Sequence, residues 1–202
     1  MQKKFVPILE MLIDPLAETF GLHPSLLIPI GAKNKESIER YIGSIDITIG
    51  NCEAFVVNFA PLAPPNELPV WSHPRSTLLT NSIQIWVDVD FRNYRKIYLQ
   101  HIEEIDKVDV IDHIMNRRFA KKLGYKYVRL LHVSRGVNSS AGRGGELMAC
   151  ENLDMNMEIN PDINKNEIEY ADPMDLSKML NIKVGGFGLD AVRDHHFLFY
   201  GK

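Results

Sequence analysis

The sequence predicts an α+β fold: a mainly antiparallel sheet with helices packed on one side. Three observations point there. Apolar and polar residues alternate at Ile45, Ile47 and Ile49, and again from Ile83 to Phe91, which is the period of a strand with one buried face. From residue 93 to 123 the apolar spacing lengthens to that of a helix. Strands are therefore expected to cluster in residues 44–91 and helices in 93–123, which reads as α+β.

The bulk properties fit a single domain spanning 1–202. The chain has 202 residues, 45% hydrophobic and 24% charged, enough for one well-buried core. No apolar run approaches the roughly 20 residues that span a bilayer, so no membrane partner is expected. The opening MQKKFVPILEMLIDPLAETFG is broken by Pro7, Glu10, Asp14, Pro15 and Glu18, unlike a secretory signal. Cys52 and Cys150 stand far apart without a CxxC partner. They suggest neither a zinc knuckle nor a disulfide framework, and they fit a cytoplasmic location.

Taken in order, residues 5–20 place Ile8, Leu9, Leu12, Ile13, Leu16 and Phe20 at helical spacing, with Gly21 as a stop. Residues 22–33 carry two prolines and read as a connector or edge segment. A helical turn is expected at Glu36–Tyr41. The hairpin comes next, with one strand from Ser44 to Ile49, a tight turn at Gly50–Asn51 and a second strand from Ala54 to Phe59. Residues 60–76 hold five prolines in 17 positions and read as a surface loop with Trp71 folded back. The strand Ile83–Phe91 puts Ile83, Ile85, Val87, Val89 and Phe91 on one face and Gln84, Trp86, Asp88 and Asp90 on the other. A helix capped by Asn93 runs from Tyr94 to Asp106. A second, capped by Asp109, carries Ile111, Ile114, Met115, Ala120 and Leu123 as its buried stripe and stops at Gly124. Residues 126–133 read as a strand buried on both faces. Ser134–Gly145 is a Gly/Ser/Asn loop long enough to suggest a functional role. Residues 151–173 form an acidic segment with a strand or two, Asp175–Leu180 a short helix, and 181–190 a glycine-rich turn. His195–His196 precede a last apolar strand.

Charge is distributed unevenly. Between Asp112 and Glu146 lie eight cations and no carboxylate in 33 residues, whereas the whole chain has 23 Lys+Arg against 26 Asp+Glu. A basic centre in an acidic body focuses anions, phosphates above all. Arg117, Arg118, Arg135 and Arg143 are the candidate phosphate-binding residues, the last two on the glycine-bearing loop, where backbone N–H groups would add to the guanidinium bonds. The loop is neither a Walker motif nor a dinucleotide fingerprint. His113 is the candidate general base, because an imidazole titrates near neutral pH. Asp88 and Asp90, two residues apart on one strand face, could offer convergent oxygens to a hard divalent cation.

The run Asp112–His113–Ile114, the basic residues behind it and Asn138 resemble the His-Asn-His nucleases with a ββα metal fold, over about 35 residues. The pattern DHxxNRR, GYxYVRL, NSSAG is also similar to C-terminal regions of bacterial toxins. The resemblance implies that His113 activates water, that Asn138 orients His113, and that Asp112 joins the ligands of Mg²⁺ or Mn²⁺. The expected function is a metal-dependent nuclease or phosphodiesterase acting on nucleic acid. The alternatives are a non-catalytic module binding nucleic acid or an acidic protein partner, and an assembly protein joining its own basic and acidic faces.

Overall fold

The computed structural model describes residues 28–59, 83–102, 109–143, 166–171, 175, 178, 179 and 181, with side chains described as far as Ser139 in the third stretch. The expected helix at 5–20, the proline-rich loop at 60–76, most of the acidic segment and His195–His196 lie outside these residues.

Among the described residues seven strands and four helices follow in the order β1 (Pro29–Ala32), α1 (Lys35–Tyr41), β2 (Gly43–Ile49), β3 (Ala54–Phe59), β4 (Ile83–Asp88), α2 (Tyr94–His101), β5 (Asp109–His113), α3 (Arg117–Lys122), β6 (Tyr127–Ser134), α4 (Arg135–Arg143) and β7 (Ile168–Tyr170). The class is α+β, as expected. The sheet order is β2-β3-β4-β6-β1-β7, and β5 pairs separately with β6. Every pairing is antiparallel. Among the described residues no helix is long and apolar enough to cross a membrane.

The hairpin β2–β3 forms where alternation and turn chemistry agree. Gly50 has φ 61°, a left-handed conformation that glycine adopts without steric penalty. The register slips between Ile45 and Ile47, which leaves Asp46 in a bulge on the outermost strand. Strand β4 lies inside the sheet, between β3 and β6, and ends at Asp88. Both its faces are covered. Ile85 and Val87 enter one apolar cluster with Val56, Val128 and Leu130, while Trp86 enters a second with Phe55, Val57 and Tyr127. Gln84, expected on a polar face, is buried and accepts the Trp86 indole N–H at 3.1 Å. Helices α2 and α3 add Tyr94, Tyr98 and Ala120 to the first cluster; α1 adds Ile38 to the second.

Three expectations are corrected. Residues 109–123 are not one helix, because β5 occupies Asp109–His113 and only Arg117–Lys122 is helical. Residues 135–143 are not a loop but α4, with the Ser134 hydroxyl accepting the Val137 N–H at 3.4 Å. Residues 29–32 are neither connector nor edge, because β1 pairs with β6 on one side and β7 on the other. In each case sheet pairing or a cap overrides local propensity. Asn93 occupies the N-cap position of α2 but makes no side-chain capping bond. Gly124, with φ 75°, ends α3 as expected.

Candidate functional site

Of the residues singled out from the sequence, Asp112, His113, Arg117 and Arg118 lie at the end of β5 and the start of α3, and the others lie elsewhere. In the β5–β6 ladder His113 faces Leu130 and Asp112 faces Leu131. Neighbours on a strand point to opposite faces, so the Asp–His dipeptide sends its two side chains apart.

His113 turns inward. It is 5% exposed, its ring lies 4.3 Å from that of Tyr94 at a 58° tilt, and Nε2 has no hydrogen-bond partner. Burial pushes its pKa down from 6.5 to about 3, and the positive charges of Arg117, Lys178 and Arg95 add to the shift. The imidazole is therefore neutral at pH 7, and no asparagine orients it through Nε2. Asn138 lies on α4, which begins at the end of the ladder where Asp109 faces Ser134. That end is four residue steps, about 14 Å, from His113. One turn along α2, Tyr98 repeats the pattern: its hydroxyl lies 2.9 Å from Nδ1 of His132, on the strand beside β5.

Asp112 turns the other way and pairs with Lys178, Oδ2 to Nζ 2.8 Å. Asp88 is 3.9 Å from the Lys126 ammonium. Asp90 does not share the Asp88 strand face. It lies beyond the end of β4 in a turn whose backbone N–H donates to Asp88 Oδ1 at 2.9 Å, and its carboxylate pairs with Lys121. Glu53, Asp88 and Asp90 line an open cleft of about 530 Å³ with Phe91, Arg92 and Asn93. Each of the three expected metal ligands is thus engaged by a different lysine. Among the described residues, no three His, Cys, Asp or Glu side chains gather as a cation would need. The arrangement does not fit Mg²⁺ or Mn²⁺ held jointly by Asp88, Asp90 and Asp112.

The basic centre is also divided. Arg129 is 1% exposed, beside Trp86 in the β4–β6 register, and burial lowers its pKa to about 10 despite the favourable influence of Tyr98. Lys121 and Lys126 face carboxylates. Arg135 is exposed at the start of α4, at the far end of the β5–β6 ladder. The Arg143 side chain lies outside the described part of the structure. This leaves the half-buried Lys122 at the end of α3 and, at its start, Arg117 and Arg118, both exposed. Asn116 fixes that start, its Oδ1 accepting the N–H groups of Arg118 at 2.8 Å and Phe119 at 3.3 Å. The sequence reading missed Arg95. It is exposed on the first turn of α2, its guanidinium carbon stands 4.7 Å from the Tyr94 ring centre, and it acts on the same imidazole as Arg117. Its signal in the sequence was the Tyr–Arg pair directly after a helix cap. Lys178 had no such signal, because nothing in a sequence marks a lysine for burial.

Three arginines therefore project from two adjacent helix starts. Among the described residues none of them forms an ion pair, so their donors face solvent and suit an oxyanion. No family model, curated protein or solved structure matches the chain.

Proposed function

We propose that the protein is a non-catalytic module that binds the phosphate backbone of nucleic acid at the corner formed by Arg95, Arg117 and Arg118. The observation that carries this reading is the exposure of all three guanidinium groups, two of which, Arg95 and Arg117, act on one buried imidazole, while Lys121 and Lys126 each face a carboxylate. Guanidinium groups match phosphate oxygens with paired N–H donors. Stacking on Tyr94 limits the freedom of Arg95 and so reduces the entropy lost on binding.

Catalysis at the same corner would need His113 to take a proton from water. A base with a pKa near 3 accepts it weakly at neutral pH, and its Nε2 is enclosed beneath α2. A metal-dependent nuclease would also need a cation, and the carboxylates expected to hold it, Asp88, Asp90 and Asp112, each face a lysine.

The test is fluorescence anisotropy with single- and double-stranded DNA and RNA oligomers at two salt concentrations. Three phosphate contacts give a log–log salt slope of about −2 to −3. The Arg117→Ala/Arg118→Ala variant should bind weakly and with a shallower slope. Absence of binding at low salt ends this reading and leaves an acidic protein partner as the alternative. Cleavage in Mg²⁺ or Mn²⁺ that disappears in His113→Ala would restore the nuclease.

A further inference from the structure

Lys178 is among the most deeply buried charged side chains described, at 3% exposure. Its ammonium lies 2.8 Å from Asp112 Oδ2, 2.9 Å from the His113 carbonyl oxygen and 3.3 Å from the Ile114 carbonyl oxygen. A lysine ammonium has three N–H donors, and among the described residues three oxygens lie within reach of it. The two carbonyls are consecutive, at the point where β5 ends and the Ile114 N–H makes a bond to the Arg129 carbonyl at 3.0 Å. One carboxylate and two backbone carbonyls around a single positive charge is a donor set of the kind that hard cations take.

We infer that the end of β5 is a binding site for a monovalent cation of ammonium or potassium size, and that the protein fills it with its own Lys178. The lysine is then a tethered cation that straps the helical residues Lys178 and Met179, and Asn181 beyond them, onto the β5–β6 ladder. Their other contacts match. Met179 is fully buried, and the Asn181 N–H closes back on the Lys178 carbonyl at 3.0 Å, with Asn181 at φ 63°. The Asn181 side chain accepts the Ser134 N–H at 2.8 Å. Ser134 faces Asp109, so these residues grip one end of the ladder through Asn181 and the other through Lys178. Withdrawing the ammonium leaves a carboxylate and two carbonyls without a positive charge, and a free ion then takes its place.

The test uses the full chain carrying Lys178→Met, which keeps most of the stem that packs in the interior, and Lys178→Ala alongside it. Removing one partner of a buried ion pair should lower Tm by on the order of 10 °C in a chain of this size. Ammonium or potassium chloride should restore at least half of that loss. Tetramethylammonium chloride at equal ionic strength should not, because its cation is too large to enter. The double variant Asp112→Asn/Lys178→Met should show no preference among the three salts. Exchange of the Ser134 amide hydrogen, followed by NMR, gives a second readout. It should quicken in Lys178→Met and slow again with ammonium but not with tetramethylammonium. Equal responses to the three salts in Lys178→Met, or the same selectivity in the double variant, would overturn the inference. If Lys178→Ala does not fold in any salt, Lys178→Met decides.

Discussion

Lowering the pH should destabilise this protein through His113, and the size of the effect follows from its burial. In the unfolded chain the imidazole binds a proton near pH 6.5; in the folded protein it does so only near pH 3. Between those values the unfolded state holds more protons, so stability rises with pH. The contribution is complete above about pH 6.5 and is lost as pH falls towards about 3, at up to roughly 1.4 kcal/mol per pH unit. At pH 5 the loss from this one group is about 2 kcal/mol, a large share of an ordinary folding free energy. Carboxylates titrate in the same range, so the measurement is a double difference. Urea unfolding of the wild type and of His113→Phe should be compared at pH 7.5 and pH 5. The phenyl ring preserves a planar contact with Tyr94, 4.3 Å away in the wild type, and carries no titrating group. The wild type should lose about 2 kcal/mol more than the variant between the two pH values. Parallel losses would falsify the claim that the folded state holds this imidazole neutral, and would reopen its use as a base.

Two further outcomes test the packing. Trp86 is completely buried between β3 and β6, so Trp86→Ala should cost about 3–5 kcal/mol in urea unfolding; a loss below about 1 kcal/mol would contradict its interior position. Asn116→Ala removes the cap that receives the Arg118 and Phe119 N–H groups and should cost about 1 kcal/mol, while Asn116→Asp should retain most of the stability; an unchanged Asn116→Ala would mean the cap bonds contribute little.

Much of the sheet was legible in the sequence, for local reasons. Ile45, Ile47 and Ile49 alternate up to a glycine that takes positive φ, and β6 announces itself as an apolar run. Segment 109–115 was not legible, because Val110, Ile111, Ile114 and Met115 satisfy a helical stripe as well as a short strand. Only its pairing with β6, five residues against five, decides between them. Helix α4 was hidden by its own composition, RGVNSSAGR, in which glycine and serine disfavour helix. The Ser134 cap and buried Val137 compensate. The arrangement of the candidate site was not legible for a different reason. Charge counted along the chain suggested one strong positive field, but Lys121 meets a carboxylate 31 residues away, and Arg129 is inside the protein. Such pairings arise from the fold, and a sequence window does not contain them.

Strand β6 also sets the order in which the molecule can be completed during synthesis. Its first residues pair with β4 over 127–129 and with β1 over 127–128, and its later ones, 130–134, pair with β5. Until those residues leave the ribosome, the β2–β3–β4 ribbon has an open border and Trp86 lacks Tyr127 and the backbone opposite it. The nascent protein therefore carries an adhesive, partly built sheet for the time needed to translate about 40 more residues, several seconds at ordinary rates. β5, α3 and β6 emerge together and close locally, so this late unit can seal the waiting border in one step. A pause in translation just after β4 should raise aggregation in the cell more than the same pause after β6.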